Sequence, residues 1–272
     1  MIGPLCYIGG KNRLAKKIIS LLPEHLTYVE PFAGGAQVLF HKAPSNVEVL
    51  NDLDFDIVNF FRVCQWHYEE LIRYMRFCII SRKLHEMHSA TNPATLTDIQ
   101  RAARFFYLQK NSFGGLIIRQ SFHYGVTHPP NFNPERLPQI IGQTHKRLQR
   151  VQIESLLYQD ILKKYDRPTT IFYCDPPYWN RKLYRHNFTG KDFEELNDRL
   201  KGLRGKFILS LDDHPEIRRI FGKWRLMPID LAYTAQRNIG KRFQELLIMN
   251  FEPEQPLAKV DTRFSTSRSP KE

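Results

Sequence analysis

Short apolar runs alternate with segments of helical periodicity along much of this 272-residue chain. Runs rich in β-branched and aromatic residues predict strands just before residue 30 and at residues 46–51, 151–156, 170–174, 206–211 and 245–251. Helices are predicted between them, with bounds near residues 12–22, 192–203 and 215–222. Strands that alternate with helices at both ends of the chain predict an α/β fold with a mostly parallel sheet.

The middle of the chain has a different pattern. Helical spacing dominates residues 56–89, 96–108 and 139–150, and glycines and prolines punctuate residues 111–138, which we expect to form a hairpin and irregular loops. We therefore predict a mainly helical domain at 56–150, inserted into a catalytic domain formed by residues 1–55 and 151–252. The tail, residues 253–272, is rich in proline, serine and charge, and we expect it to be poorly ordered.

Basic charge is concentrated in this middle segment. The whole chain carries a net charge of +12, and between Arg101 and Arg150 eight basic residues stand against one acidic residue. Aromatic, amide and glycine residues are interleaved with the charge in FFYLQKNSFGGLIIRQSFHYG. This mixture suits phosphate contacts beside base contacts, so it favours nucleic-acid binding over an ordinary solvated face.

Several other classes of protein are disfavoured. The chain has no run near the roughly 18 apolar residues of a membrane span, and its start lacks the apolar stretch of a signal peptide, so we expect a cytoplasmic protein. Its four cysteines show no CxxC spacing and are expected to be reduced. His85 and His88 could pair on a helix, but no further ligands are near in sequence, and we expect no metal.

Three loops are expected at the carboxyl ends of the strands, where open α/β sheets bind ligands. EPFAGGA offers Gly34 and Gly35 for a close backbone approach. LNDLD places Asp52 where an acid can accept hydrogen bonds from ribose hydroxyls, although an acid here, such as Asp54, could also serve as a helix N-cap. EPFAGGA lacks the GxGxxG spacing of dinucleotide-binding dehydrogenases.

The third loop, CDPPY, carries the most specific signal. The strand TIFYC must stop at Asp175, because the two prolines that follow cannot donate ladder hydrogen bonds. A carboxylate, a carbonyl oxygen and an aromatic ring are thereby held together at the end of a strand.

With these motifs in this order, the chain resembles the Dam-type DNA adenine-N6 methyltransferases, class D12 of the alpha group, over about residues 5–250. The matching pieces are YIGGKNRL, EPFAGGA, NDLD, SFGG, CDPPY, FILSLDD and ELLIMNF. The resemblance implies a Rossmann-like, S-adenosylmethionine-dependent methyltransferase fold with an inserted target-recognition domain. It also implies S-adenosylmethionine as cofactor and double-stranded DNA as partner.

The resemblance also implies roles for single residues. The cofactor site would comprise Tyr7, Gly9, Gly10, Lys11, Pro31, Phe32, Gly34, Gly35, Asp52 and Asp175, with the Lys11 ammonium near the methionine carboxylate and Asp52 on the ribose. The catalytic residues would be Asp175, Pro176, Pro177 and Tyr178. The Asp175 carboxylate and the Pro176 carbonyl would accept the two N–H bonds of the adenine amino group, and Tyr178 would stack on a base extruded from the duplex. Trp179 could share that role or pack.

Recognition of DNA would fall to a hairpin at about Phe113 to Asn133. Side chains that suit base edges are Arg119, Gln120, His123 and Asn131, and those that suit phosphates are Lys110, Arg136, Lys146 and Arg147. Many family members have Phe-Asn-Gly where this chain has Phe113-Gly114-Gly115, which leaves GATC, another short site or relaxed specificity open. A silent DNA-binding protein and a methyltransferase for RNA adenine or cytosine N4 remain alternatives.

Overall fold

The computed structural model describes residues 3–5, 11–12, 14–112, 121–123, 131–181, 183–231 and 243–253. The strands formed there are β1 (Thr27–Glu30), β2 (Val47–Asn51), β3 (Val151–Glu154), β4 (Thr170–Cys174), β5 (Lys206–Asp212), β6 (Arg225–Leu231) and β7 (Phe243–Met249). The α-helices are α1 (Ala15–Leu21), α2 (Gln37–His41), α3 (Phe55–Trp66), α4 (Tyr68–Met75), α5 (Arg82–Ala90), α6 (Asp98–Asn111), α7 (Leu137–Leu148), α8 (Tyr158–Tyr165), α9 (Gly190–Lys201) and α10 (Pro215–Phe221).

The strands form one sheet in the order β3-β2-β1-β4-β5-β7-β6. Neighbours from β3 to β5 pair in parallel, whereas β7 is antiparallel to both β5 and β6. The direction in which the chain adds strands reverses between β1 and β4, and such a reversal opens a ligand crevice beyond the carboxyl ends of the strands. This topology confirms the predicted α/β, Rossmann-like fold.

Along the chain, the helices α3 to α7 follow β2 and precede β3, two strands that are neighbours in the sheet. Their apolar side chains, among them Phe60 and Phe106 with stacked rings 5.4 Å apart, belong to the same buried cluster as Leu50 and Ile171 of the sheet. Asp54 caps α3 by accepting a hydrogen bond from the Asp56 amide. The helical middle is thus a continuation of the core, and its separate recognition role stays a prediction.

Local differences from the predicted elements have physical reasons. The pattern at 56–89 divides into α3, α4 and α5, because the chain turns at His67 and again before Ser81, which caps α5. Helix α8 and strand β6 were not predicted, and β6 carries Pro228 within a strand at the edge of the sheet, where a missing donor is tolerated. Of the expected hairpin the structure describes one antiparallel bridge, Ser112 to Phe122, while 113–120 and 124–130 lie outside the described residues.

Within the described ranges, no helix is long and apolar enough to cross a membrane. The same part of the chain contains no group of three or more His, Cys, Asp or Glu side chains arranged to hold a metal ion.

Candidate active site

A cavity of about 340 Å³ opens at the carboxyl ends of β1, β2 and β4. Its walls come from the loop after β1, the loop after β2, the start of α8 and residues 184–188. The predicted cofactor residues that line it are Lys11, Pro31, Phe32, Gly34, Gly35, Asp52 and Asp175, together with the predicted catalytic residue Pro177. Tyr7, Gly9 and Gly10 lie outside the described residues.

The glycine loop after β1 is held by the loop after β2. Gly34 has φ 47°, a left-handed conformation that glycine adopts without a steric penalty. Its amide donates to Asp52 Oδ2 over 2.9 Å, and the Asp54 amide donates to Asp52 Oδ1 over 2.8 Å. Burial raises the pKa of Asp52 to about 6. Asp52 therefore shapes the glycine loop as well as lining the cavity.

Asn51 was not predicted as a site residue, yet its side chain joins three loops of the site. Its amide nitrogen donates to the carbonyls of Pro31 over 2.9 Å and Leu156 over 3.0 Å, and its side-chain oxygen accepts from the Leu156 amide over 2.8 Å. The side chain is 1% exposed. Its position could have indicated this role, because a polar residue at the end of an apolar strand must find hydrogen-bond partners when it is buried.

One wall of the cavity is aromatic. Phe32 lies 5.3 Å from Tyr158 and 5.7 Å from Phe188, and the rings of Tyr158 and Phe188 are 5.8 Å apart. The Tyr158 hydroxyl is buried and has no hydrogen-bond partner in the described part of the chain. Neither Tyr158 nor Phe188 stands in a recognisable motif, so neither was predicted as a site residue. A planar ring with a polar edge fits such a wall.

The other end of the cavity holds a charged cluster. Lys11 Nζ lies 3.2 Å from Asp175 Oδ1 and 2.5 Å from Glu245 Oε1, and its ammonium is 4.5 Å from the centroid of the Tyr178 ring. Burial alone would lower the pKa of Lys11, but the two carboxylates outweigh it and raise that pKa. The ammonium thus faces two carboxylates, and its place near the methionine carboxylate of the cofactor stays a prediction.

Asp175 stands at the end of β4, as CDPPY predicts. Its side chain is 22% exposed, and no donor in the described part of the chain reaches Oδ2. Burial raises the pKa of Asp175 to about 7, Lys11 opposes that rise, and Glu245 adds to it. One oxygen is therefore held by Lys11 while the other is open to a ligand.

The aromatic residues after Asp175 have different surroundings. Tyr178 is 8% exposed, and the Arg181 guanidinium lies 5.4 Å from its ring centroid. Trp179 packs 5.4 Å from Phe193 of α9 and is stacked at 5.5 Å on His214, the N-cap residue of α10. Packing is thus the role that the structure gives to Trp179.

Residues 183–188 are tied down over the cavity by one arginine. Arg185 Nη1 lies 2.7 Å from Asp54 Oδ1 and 2.6 Å from Asp56 Oδ2, and Arg101 also pairs with Asp56. Both carboxylates are buried, whereas the Arg185 side chain is 36% exposed. This connection between α3 and the loop that carries Phe188 was not predicted, because its partners are far apart in sequence.

The residues predicted to contact DNA are only partly accessible. Asn131, Arg136 and Lys146 are exposed, His123 is partly exposed, and Arg119 and Gln120 lie outside the described residues. Lys110 is 9% exposed and lies over the Phe106 ring, and Arg147 makes a two-pronged ion pair with Glu48. The structure therefore does not support phosphate contacts for Lys110 and Arg147, because packing inside the protein occupies both side chains.

Together, the sheet order, the glycine loop and the cavity at the point of strand reversal define an α/β enzyme that binds a nucleotide-like cofactor. The family model of the D12 class N6 adenine-specific DNA methyltransferases matches residues 7–235. The chain belongs to this family. Membership confirms the predicted enzyme class, methyl transfer to adenine N6 of DNA, with S-adenosylmethionine as methyl donor.

Individual relatives are similar at low identity. The DNA N-6-adenine-methyltransferase of Escherichia phage P1 is 27% identical over 235 residues, which cover 79% of this chain and 30% of that enzyme. A type II methyltransferase of Lactococcus lactis subsp. cremoris is 24% identical over 90% of this chain and 94% of its own length. The DNA adenine methylase of Escherichia coli K12 is 24% identical with the same two coverages. The chain thus spans less than a third of the phage P1 enzyme and nearly all of the other two.

Proposed function

We propose that this protein methylates adenine N6 in double-stranded DNA by direct transfer to a base that has left the duplex. The observation that carries this proposal is Asp175, whose Oδ1 is fixed by Lys11 and whose Oδ2 is open beside the cavity. A DNA substrate also fits the expected cytoplasmic location.

The cavity residues fit S-adenosylmethionine. The rings of Phe32, Tyr158 and Phe188 suit the adenine of the cofactor, and the unpartnered Tyr158 hydroxyl offers that ring a polar contact. Asp52 would hold the ribose hydroxyls. The cluster of one lysine and two carboxylates favours a cationic group nearby. When bound, S-adenosylmethionine supplies an activated methyl group.

The chain's own residues would prepare the adenine amino group. Its nitrogen is a poor nucleophile, because its lone pair is delocalised into the ring. Asp175 Oδ2 and the Pro176 carbonyl would accept the two N–H bonds, which turns the nitrogen toward a tetrahedral geometry and frees the lone pair. Asp175 could then take the proton that the methylated nitrogen loses, because its pKa is about 7. Catalysis is then mainly positioning and electrostatics.

Tyr178 would provide the stacking surface for the extruded base. Because its ring is 8% exposed, with Lys11 and Arg181 beside it, a base reaches this ring only after neighbouring groups move. Exposed Arg136, Lys146 and Asn131 remain the proposed contacts to DNA on the helical middle segment.

Methyl transfer should depend on the ionisation of Asp175. The ionised carboxylate is the stronger hydrogen-bond acceptor and alone can take up a proton, so kcat/KM should rise as the pH increases through about 7, the pKa of Asp175, and then level off. Steady-state assays between pH 5.5 and 9 measure this profile. A profile that is flat across that range would show that Asp175 does not act as an ionised acceptor.

The contacts of Arg185 with Asp54 and Asp56 should matter for cofactor binding, because they hold the loop that carries Phe188. Arg185→Ala is expected to raise the dissociation constant of S-adenosylmethionine about tenfold, because the loop carrying Phe188 loses a charged hydrogen bond to Asp54 and an ion pair with Asp56. Titration calorimetry measures this constant. Arg219→Ala removes an exposed ion pair with Glu216 and is the matched control, which should bind like the unmodified protein. Equal affinities for both variants would show that Arg185 does not hold the loop in place for cofactor binding.

The proposed function is tested with the purified protein, S-adenosylmethionine and unmethylated genomic DNA, by nucleoside mass spectrometry and single-molecule sequencing. N6-methyladenine in one short motif would support the proposal and identify the recognition site. Scattered methyladenine would support the chemistry with relaxed specificity. If no adenine in DNA is methylated, RNA and cytosine substrates are to be assayed, and inactivity on all of them would favour a silent DNA-binding protein.

A further inference from the structure

Glu245 is a buried acid that no motif in the catalytic loops accounts for. It stands near the start of β7, is 6% exposed, and accepts hydrogen bonds at one oxygen, Oε1, from three donors. These are Lys11 Nζ at 2.5 Å, the Tyr178 hydroxyl at 2.5 Å and Ser210 Oγ at 2.6 Å. The three donors belong to the start of the chain, the loop after β4 and strand β5, so one oxygen atom connects three separate segments.

The reversed direction of β7 explains how Glu245 reaches the site. Because β7 is antiparallel to β5, its first residues lie beside the last residues of β5, and Glu245 pairs with Asp212. The carboxyl end of β5 is also the edge at which β4 ends and Asp175 begins. A parallel strand in this position would bring its carboxyl end, and not its beginning, to the active-site edge. The antiparallel insertion thus delivers a side chain that the parallel strands cannot supply.

We infer that Glu245 is a positioning residue, which fixes the Tyr178 ring and the Lys11 ammonium so that the Asp175 carboxylate is correctly placed for methyl transfer. Its oxygen holds the edge of the Tyr178 ring through the hydroxyl, while Lys11, bound to the same oxygen, lies 4.5 Å from the ring centroid. Lys11 in turn reaches Asp175 Oδ1 at 3.2 Å. This inference rests on the proposed function, because it assigns Glu245 to the same reaction.

The negative charge of Glu245 affects the pKa of Asp175, which can be measured and which a purely packing role would not change. The titratable and charged groups that face Asp175 or its partners among the described residues are Lys11, Glu30, Tyr173, Cys174, Tyr178, Arg181, Tyr184 and Glu245. Among them Glu245 raises the pKa of Asp175 and competes for Lys11. Without the negative charge of Glu245, Lys11 would pair with Asp175 as its one remaining carboxylate among the described residues. The pKa of Asp175 should therefore fall.

The test is Glu245→Gln, which keeps the size of the side chain and an oxygen acceptor but removes the charge. Single-turnover methylation at saturating cofactor should slow about tenfold or more, because Lys11 and Tyr178 lose a charged acceptor. The acid limb of its pH profile should move down by about half a pH unit or more. Binding of S-adenosylmethionine, followed by calorimetry, should change less than about threefold.

Glu48→Gln is the matched control. Glu48 is a 4% exposed acid on β2 that also holds a buried lysine, Lys42, and it lies away from the cavity walls. Its variant should lose stability, yet methylate with an unshifted pH profile. If the Glu245 and Glu48 variants had the same rate and profile, the positioning role would be overturned. The unmodified protein is assayed in parallel, and its inactivity would refute the proposed function itself, before any variant is compared.

Discussion

Replacing Asp175 by alanine is expected to slow methyl transfer by at least about 1,000-fold, because the variant loses the carboxylate acceptor for the adenine amino group and keeps only the Pro176 carbonyl. The loss should fall on the single-turnover rate. Affinity for S-adenosylmethionine should stay within about tenfold, because the aromatic wall and Asp52 are unchanged. Rapid-quench assays measure the rate and calorimetry measures the affinity. A rate within about tenfold of the unmodified protein would remove Asp175 from the mechanism.

Asparagine at the same position separates catalysis from folding. The folded-state pKa of Asp175, about 7, lies above its ordinary value of 3.8. The protonated form of Asp175 therefore adds to the free energy of unfolding. This contribution is fully present below pH 3.8 and is lost as the pH rises through about 7. At pH 8 the ionised carboxylate lowers stability, so Asp175→Asn should be inactive and should unfold at an equal or higher temperature. Scanning calorimetry at pH 8 tests this, and a clear drop would indicate a structural role.

The sequence predicted the parts of the site that follow directly from strand ends. CDPPY placed Asp175 at the end of β4, because prolines stop a strand, and EPFAGGA marked Gly34 as a position for close backbone approach, where the structure has a left-handed turn. The fold class followed from the alternation of strands and helices, which is also a local property.

The residues that the sequence could not reveal are those placed by long-range packing. Glu245 meets Lys11 across 234 positions of sequence, and only the antiparallel direction of β7 brings them together. Arg185 reaches Asp54 across 131 positions, from the loop after β4 to the start of α3. Lys110 and Arg147 show a second limit, because their basic character is visible in the sequence, whereas the burial of Lys110 and the pairing of Arg147 with Glu48 are not. Charge in a sequence therefore indicates a partner only when exposure is known.

Lys11 and Lys42 have closely similar surroundings, so substitutions at the two positions can be compared within one protein. Each is a buried lysine paired with a buried glutamate and set over a tyrosine ring, with Lys42 Nζ 4.4 Å from the Tyr28 centroid and 2.6 Å from Glu48. The difference is that Lys11 also pairs with Asp175, at the cavity. Methionine at either position removes the same charge and keeps a similar volume.

Lys11→Met is accordingly expected to lower the single-turnover rate at pH 7 about 100-fold, because Asp175 and Glu245 would lose the cation between them. Lys11 lowers the pKa of Asp175, so that pKa should rise above about 7 in the variant and leave the carboxyl mostly protonated at neutral pH. Part of the rate should return at pH 9, where Asp175 ionises again. Lys42→Met should be destabilised but keep the original pH profile. If both variants slowed equally at every pH, the lysine would act through stability, whereas recovery confined to Lys11→Met would mean that its charge sets the ionisation of Asp175.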